Sequence, residues 1–335
     1  MVKRPPVEVN SKALVFAPDD AKMGLFGGRG RVSGRLVIGT RRSKLALIQA
    51  QLVAEALRRA CEDLVVELLE ITTAGDREPK KPLSAASETG IFTRAIEQKL
   101  LAGEIDLAVH SLKDLPVELA KGLALAATPE RGDPRDVLLS RQGLALRDLR
   151  AGAVVGTSSP RRAAQLRALR PDLVTAELRG NVDTRIEKLR RGDYDAIVVA
   201  LAALDRLGLQ ALITEALDPG DFLPAPGQGA LAVETREGDL DATRAAALVN
   251  HGATFVATLA ERELLRRLGG GCHLTLGALA ECVGTDELRL RASVTSPDGA
   301  RTVRAEAHGK THDPDSVVDA CLDQLRRGGA LTLIR

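Results

Sequence analysis

Aromatic side chains are nearly absent: the 335 residues include five Phe, one Tyr and no Trp. Proteins that hold single-stranded nucleic acid stack bases on aromatic platforms, so this scarcity argues against that class. An excess of either charge is lacking too. Forty-seven basic and 45 acidic side chains leave a formal net charge of +2, too little for a whole-surface attraction to polyanions. Long apolar runs are missing. The longest, Ala196 to Leu204, falls far short of the roughly 18 residues that a membrane-spanning helix needs. Cysteine is sparse, and Cys61, Cys272, Cys282 and Cys321 form no CxxC pair. That spacing disfavours zinc and thioredoxin-type sites and supplies no disulfide scaffold, so no metal is expected. No apolar h-region precedes a cleavage site near the N-terminus. No secretory signal is therefore expected, and a reducing cytoplasm is the expected compartment.

What is present is the composition of a globular protein: 44% hydrophobic and 27% charged residues, over a length that suits two or three domains. Only 11 residues are Lys, leaving 47 − 11 = 36 Arg. A GC-rich genome explains such a bias. Arg is also the better fork for carboxylates and phosphates, so its positions matter more than its number.

Residues 1–34 carry Pro5, Pro6, Pro18 and the stretch Gly27-Gly28-Arg29-Gly30 without any sustained period. They read as a flexible extension, with a misplaced start codon or a targeting segment as alternatives. From Arg35 the pattern becomes α/β. A strand over Arg35–Gly39 precedes Leu45, Ile48, Leu52, Ala56 and Ala60 at helical spacing. A strand over Val65–Thr72, a helix over Phe92–Leu101 and a strand over Ile105–Val109 follow, the alternation of parallel βαβ units. The chain then echoes itself. Val37-Ile38-Gly39-Thr40 returns as Val154-Val155-Gly156-Thr157, and the helix–Gly–strand passage from Ile96 to Asp106 returns from Ile186 to Asp195. Such punctuation recurs by chance in α/β chains. The alternative is two similar lobes facing each other across a cleft. The expected division is an extension over 1–34, a first lobe over 35–132 with about 228–248, a second over 133–227, and a small α+β domain over 249–335. The last is expected to contain a helix over Ala253–Leu268, strands over Leu288–Val294 and Thr302–His308, and a helix over Ser316–Arg326. The Pro/Gly-rich run from Leu223 to Ala230 suits a crossing between lobes.

Four places could carry chemistry. At Gly156-Thr157-Ser158-Ser159-Pro160-Arg161-Arg162, hydroxyls and a Pro at the first helical position mark a helix start. Two Arg in that first turn oppose the helix dipole, which a bound anion would explain; two solvated Arg are the plain alternative. Gly39-Thr40-Arg41-Arg42-Ser43-Lys44 repeats the arrangement in the first lobe, and Arg179, Gly180, Asn181 and Arg185 add guanidinium groups near another helix start. These clustered cations make a polyanion the expected ligand; no GxxxxGK[ST] phosphate cradle is present, so carboxylates suit as well as phosphates. Asp114, in His110-Ser111-Leu112-Lys113-Asp114, lies beyond the carboxyl end of a strand, where α/β ligands bind. It is either a proton shuttle among cations or half of a loop salt bridge. Cys272, in Gly269-Gly270-Gly271-Cys272-His273, is either a small buried hydrophobe or a thiol activated by its neighbour.

Together these segments resemble the hydroxymethylbilane synthase (porphobilinogen deaminase) family of tetrapyrrole biosynthesis. The resemblance runs in order from about Arg35 to the C-terminus, through Ile38–Ser43, Thr73–Asp76, Ala108–Pro116, Asp133–Asp136, Val155–Arg162, Leu178–Val182, Pro226–Ala230 and Gly270–Cys272. It implies two lobes like type II periplasmic binding proteins and a third domain that carries the cofactor. It implies an enzyme that joins four porphobilinogen molecules head to tail, releasing ammonia at each step, and frees hydroxymethylbilane by hydrolysis. The primer is a dipyrromethane made from substrate and held by a thioether, for which Cys272 occupies the family position.

Every pyrrole carries an acetate and a propionate, so the growing chain is a polycarboxylate that guanidinium forks can hold. The resemblance assigns cofactor contacts to Asp76, Ser111, Lys113, Thr157, Ser158, Ser159, Arg161, Arg162, Gly180 and Arg185. It assigns substrate contacts to Arg41, Ser43, Phe92, Arg179, Arg206 and Gln228. Asp114 matches the catalytic carboxylate, which transfers protons as the amine leaves and stabilises positive charge on the pyrrole nitrogen. Two departures stand out. Thr89 replaces a Lys common in a mobile loop, and Thr275 replaces a Pro common after the cofactor Cys, which is expected to loosen that loop. The family implies a monomer. The rival reading is a non-catalytic two-lobed receptor for a small polycarboxylate, which would bind porphobilinogen reversibly and release no ammonia.

Overall fold

The structure, a computed structural model, describes residues 34–73, 93–270 and 274–333. Strand β1 (Gly34–Arg41) leads into helix α1 (Lys44–Ala60), which Ser43 caps by accepting a hydrogen bond from Ala46 N. Ala50, Val53, Ala54 and Leu57 recur on one face of α1 and are buried. Strand β2 (Leu64–Ile71), helix α2 (Arg94–Leu101), strand β3 (Leu107–Ser111) and a 3-10 turn over Leu112–Asp114 follow. Strand β4 (Leu123–Ala127) completes this run. Ile96 and Leu100 of α2 are fully buried, each worth about 1.5–3 kcal/mol of transfer free energy.

The chain then crosses to a second sheet. Strand β5 (Asp136–Ser140) precedes β6 (Val154–Gly156), helix α3 (Pro160–Leu169), β7 (Val174–Ala176), helix α4 (Val182–Arg191), β8 (Ala196–Ala200), helix α5 (Leu201–Leu207) and β9 (Glu215–Ala216). It crosses back into β10 (Leu231–Arg236) and helix α6 (Leu240–Ala247). The first sheet has the order β2-β1-β3-β10-β4 and the second β7-β6-β8-β5-β9. Position for position the two orders agree. In each sheet the fourth strand is delivered by a crossing from the other lobe and runs antiparallel to its neighbours. The sequence echoes fall on equivalent elements: β1 with β6, and the α2–β3 passage with α4–β8. The two lobes are therefore like those of type II periplasmic binding proteins.

Strand β8 is apolar throughout because helices cover both its faces. Ala196 and Val198 enter one core cluster, and Ile197 and Val199 the other.

The remainder forms a small α+β unit. Helix α7 (Gly252–Arg267) and helix α8 (Pro314–Arg327) pack on one face of the meander β11 (Leu276–Val283), β12 (Glu287–Thr295) and β13 (Thr302–Lys310). Strand β11 lies against the returning crossing: Ala278 N donates to Pro224 O at 2.9 Å. A Cβ on Gly277 would stand 2.7 Å from Leu223 Cβ and 2.8 Å from Leu223 O, so glycine permits this approach.

Candidate active site

Both crossings arrive at the carboxyl ends of the parallel strands. Ala232 of β10 pairs with His110, and Leu112 N donates to Ala230 O at 3.0 Å, so the Leu112–Asp114 turn is braced by the returning chain. Asp136, first residue of β5, pairs with Ala200 at the end of β8. Between these ends lies a cavity of about 450 Å³, within the usual range for small-molecule sites. The starts of α1 and α3 both open onto it, through Arg41, Ser43 and Lys44 from one lobe and Ser158, Ser159, Arg161 and Arg162 from the other. Two helix dipoles thus present their positive ends to one space.

The side chains sharpen that bias. Lys113, Arg185 and Arg206 join the wall, opposed by the carboxylates of Asp114 and Asp183. Burial lowers the Arg185 and Arg206 guanidinium groups to about 10, which leaves them charged at neutral pH. Arg185 Nε donates to Gly180 O at 2.7 Å, and Arg206 Nη2 to Gly229 O at 2.6 Å. Asp114 has no hydrogen-bond or ion-pair partner among the described residues. Its charge acts on Lys113 and Arg185.

Beneath the wall sits Asp136, with no exposed surface. Its Oδ2 meets Arg161 Nη1 at 2.8 Å, and its Oδ1 accepts Arg162 Nη2 at 2.6 Å and Nε at 3.0 Å. Burial would raise its carboxyl, but Arg161, Arg162, the Gln228 hydrogen bond and Lys113 outweigh that and hold it well below the usual range. Arg162 also donates Nη1 to Val198 O at 3.1 Å, so its fork is largely committed to the protein. Arg161 donates Nη1 to Leu223 O at 2.6 Å and stacks over Phe222, while its buried Nε has no hydrogen-bond partner among the described residues. Lys113 borders the cavity, with its ammonium 3.0 Å from Gln228 Oε1. Crowding by the cleft walls, with the charge of Arg162, lowers it to about 8.

Of the residues expected at the site, Arg41, Ser43, Ser111, Lys113, Asp114, Ser158, Ser159, Arg161, Arg162, Gly180, Arg185, Arg206 and Gln228 border this one cavity. Several hydroxyls already serve the fold. Ser159 caps α3 through Arg162 N, and Ser158 Oγ donates to Leu178 O at 2.6 Å. Thr157 accepts from Ser159 N at 3.1 Å, and Arg179 pairs with Glu177 at 2.5 Å; neither borders the cavity. Asp76, Thr89, Phe92 and Cys272 lie outside the described residues. Thr275 is buried and donates its hydroxyl to Thr295 O; the loop it is expected to loosen, around Cys272, lies outside the described residues.

Three residues escaped the reading of the sequence. Asp136 is one; it closes the Asp133–Asp136 segment and precedes the apolar run Val137–Leu139, but the resemblance assigns it no role. Gln49 of α1 donates to Ser111 Oγ at 2.9 Å, and Glu261 of α7 pairs with Arg131. Neither carries a local pattern.

The donor set fits a polycarboxylate: cations from both lobes and two helix starts converge on one space, with Asp114 and Asp183 as the carboxylates among the described lining residues. Comparison with known proteins agrees. Residues 36–244 match the family profile "Porphobilinogen deaminase, dipyromethane cofactor binding domain", and residues 255–326 match "Porphobilinogen deaminase, C-terminal domain". The porphobilinogen deaminase of a Roseiflexus species is 49% identical over 299 residues, covering 89% of this chain and 98% of its own. That of Thermus thermophilus is 47% identical over 295 residues, covering 88% and 96%. Among solved structures, the VFT2 domain of BvgS from Bordetella pertussis aligns with a TM-score of 0.40 at 15% identity, over 64% of this chain and 86% of that one. The chain belongs to the porphobilinogen deaminase family.

Proposed function

We propose that the family's transferase reaction takes place in the cavity between the two lobes, with Asp114 handling protons and Cys272 anchoring a dipyrromethane by a thioether. The observation that carries this reading is the carboxylate of Asp114, without a hydrogen-bond or ion-pair partner among the described residues, in a cavity to which both lobes contribute cations. When bound, the dipyrromethane supplies the free pyrrole α-carbon that receives the first substrate unit.

The residues divide the work by chemistry. Arg41, Lys113, Arg161, Arg185 and Arg206 bind acetate and propionate groups, and the planar guanidinium forks favour two-point contacts. Ser43 and Ser159 accept the helix-cap hydrogen bonds and can turn their hydroxyl hydrogens to a ligand carboxylate, Ser111 adds a hydroxyl at the end of β3, and Ser158 borders the site with its hydroxyl hydrogen held by Leu178 O. At each addition of porphobilinogen the aminomethyl C–N bond breaks, ammonia leaves, a C–C bond forms and the receiving ring carbon loses a proton, which restores the proton that Asp114 gave to the amine. Asp114 donates a proton to the departing amine. As carboxylate it then opposes the positive charge that develops on the substrate's pyrrole nitrogen.

We also infer a cytoplasmic monomer whose ligands are porphobilinogen and the growing oligopyrrole, with no nucleic-acid or membrane partner. Near-neutral charge and scarce aromatics support the exclusion of nucleic acid. No described helix is long and apolar enough to cross a membrane.

The test is the intact mass of the denatured, active protein. An adduct of two pyrrole units that colours with Ehrlich's reagent and is absent from Cys272→Ala is expected. Active protein with an unmodified mass would overturn the anchored-primer reading.

A further inference from the structure

Gln228 lies in the returning crossing with 1% of its surface exposed. Its Nε2 donates to Pro134 O at 2.8 Å and to Asp136 Oδ1 at 2.9 Å, so both amide hydrogens are taken by acceptors. Its Oε1 therefore faces the other way, toward Lys113 Nζ at 3.0 Å and Arg162 Nη2 at 3.5 Å. A flipped amide would set its N–H groups against two cations and its oxygen against two acceptors. Four contacts would turn repulsive at once, so the amide has one orientation.

We propose that Asp136 and Gln228 are positioning residues for the reaction: the carboxylate of one lobe orients the amide of the crossing, and the amide oxygen holds Lys113 of the other lobe, as an ammonium, beside Asp114. The three groups belong to different parts of the fold. Asp136 begins β5, Gln228 lies on the chain leading to β10, and Lys113 is in the turn after β3. Neither Asp136 nor Gln228 needs to touch a pyrrole for its loss to be felt at Asp114.

The surroundings of Lys113 show why such support is needed. Arg161 and Arg162 of α3 oppose its charge, and Asp114 and Asp136 favour it. Around the same cavity stand Arg41, Lys44, Arg185 and Arg206, with Asp183 as the one further carboxylate among the described residues and His110 just before the turn. In a site so rich in cations, an ammonium keeps its proton through its immediate acceptor and the anion behind it. Removing a unit charge at this range through protein is worth on the order of one pH unit. Removing the amide acceptor acts in the same direction.

The proposal rests on the proposed function for its kinetic arm only. The full-chain holoenzyme is labelled with [13Cε]lysine, and the Lys113 signal is identified by its loss in Lys113→Arg. Its titration midpoint is followed in wild type, Asp136→Asn and Gln228→Met. The midpoint is expected to fall by about one unit in Asp136→Asn and to fall measurably in Gln228→Met. Porphobilinogen consumption by Gln228→Met is expected to drop more at pH 8 than at pH 6.5, with Asp136→Asn following the same trend. Gln228→Met is nearly isosteric, so it decides the matter if Asp136→Asn, which strands two buried guanidinium groups, fails to fold. An unchanged Lys113 midpoint in Gln228→Met overturns the proposal. Wild-type protein that consumes no porphobilinogen would instead overturn the functional reading and leave the titration arm intact.

Discussion

The guanidinium of Arg131 and the carboxylate of Glu261 meet as a fork, with hydrogen bonds of 2.7 and 3.1 Å. Arg131 lies on the outgoing crossing and Glu261 on α7, so the pair ties the third unit to the lobes. Glu261 has no exposed surface and also accepts Gly227 N at 2.6 Å and Ala280 N at 2.7 Å. One carboxylate thus holds the outgoing crossing, the returning crossing and β11. Glu261→Gln places an amide N–H against one of those donors and leaves Arg131 without its counter-charge. A loss of about 3–5 kcal/mol is expected, read as a lower denaturation midpoint. Glu263, a turn-neighbour on α7, pairs with Arg266 and Arg267 at a partly exposed site. Glu263→Gln is expected to cost about 1 kcal/mol or less. Equal losses in the two variants would contradict the central role of Glu261.

The two crossings touch at glycine. Gly132 N donates to Gly229 O at 3.3 Å, and Gly229 has φ +89°. A Cβ there would stand 2.5 Å from Gly132 O and 3.2 Å from Asp133 O, both backbone atoms that cannot swing aside. Gly229→Ala therefore combines left-handed strain with a clash, about 2–5 kcal/mol together. It also displaces the carbonyl that holds Arg206, so KM for porphobilinogen is expected to rise. Gly238 shares the backbone conformation, φ +77°, but has open space around it. Gly238→Ala should cost only about 1–2 kcal/mol and leave KM alone. Thermal melts and initial rates on both variants check this.

Asp114 sits in a 3-10 turn whose fold depends on Leu112 and Leu115, which are buried, and not on its own carboxylate. Asp114→Asn keeps the size of the side chain and removes both its charge and its proton. Turnover is expected to fall by about 10²–10⁴, with the melting midpoint and the Cys272 adduct mass unchanged. Ammonia release within a few-fold of wild type would contradict the assigned role.

Much of this architecture is written in local pattern. Strand β8 is legible because five apolar residues are bounded by Asp195 and a helix, and α3 because Ser159 and Pro160 mark its start. The echo of β1 in β6 foretells two lobes because similar supersecondary units need similar punctuation. What stays hidden is set by partners distant in sequence. Strand β11 reads as a weak segment of Gly and Ala; it becomes a strand because β12 pairs with it and the 223–225 segment packs on it. Asp136 looks like the end of a loop until Arg161, Arg162 and Gln228 surround it. Thr157 and Arg179 show a second use of such residues: a hydroxyl or cation near a helix start also serves the turn itself, Thr157 by accepting from Ser159 N and Arg179 by pairing with Glu177.

Lys113 gives the pH dependence a sign. Burial lowers the pKa of a cation, so Lys113 is an ammonium below about 8 and loses its charge as pH rises through that value. Its loss weakens the hold on substrate carboxylates, so kcat/KM, which reports the free enzyme, is expected to fall above about pH 8. Bound carboxylates oppose the loss of the proton, so the corresponding limb in kcat should lie at higher pH. The separation of the two limbs measures the coupling between Lys113 and substrate, at 1.36 kcal/mol per unit. Lys113→Arg carries a charge that does not titrate in this range, and its kcat/KM profile should stay flat through pH 9 even if its absolute rate is lower. An alkaline limb that persists at the same pH in Lys113→Arg would assign the titration to another group.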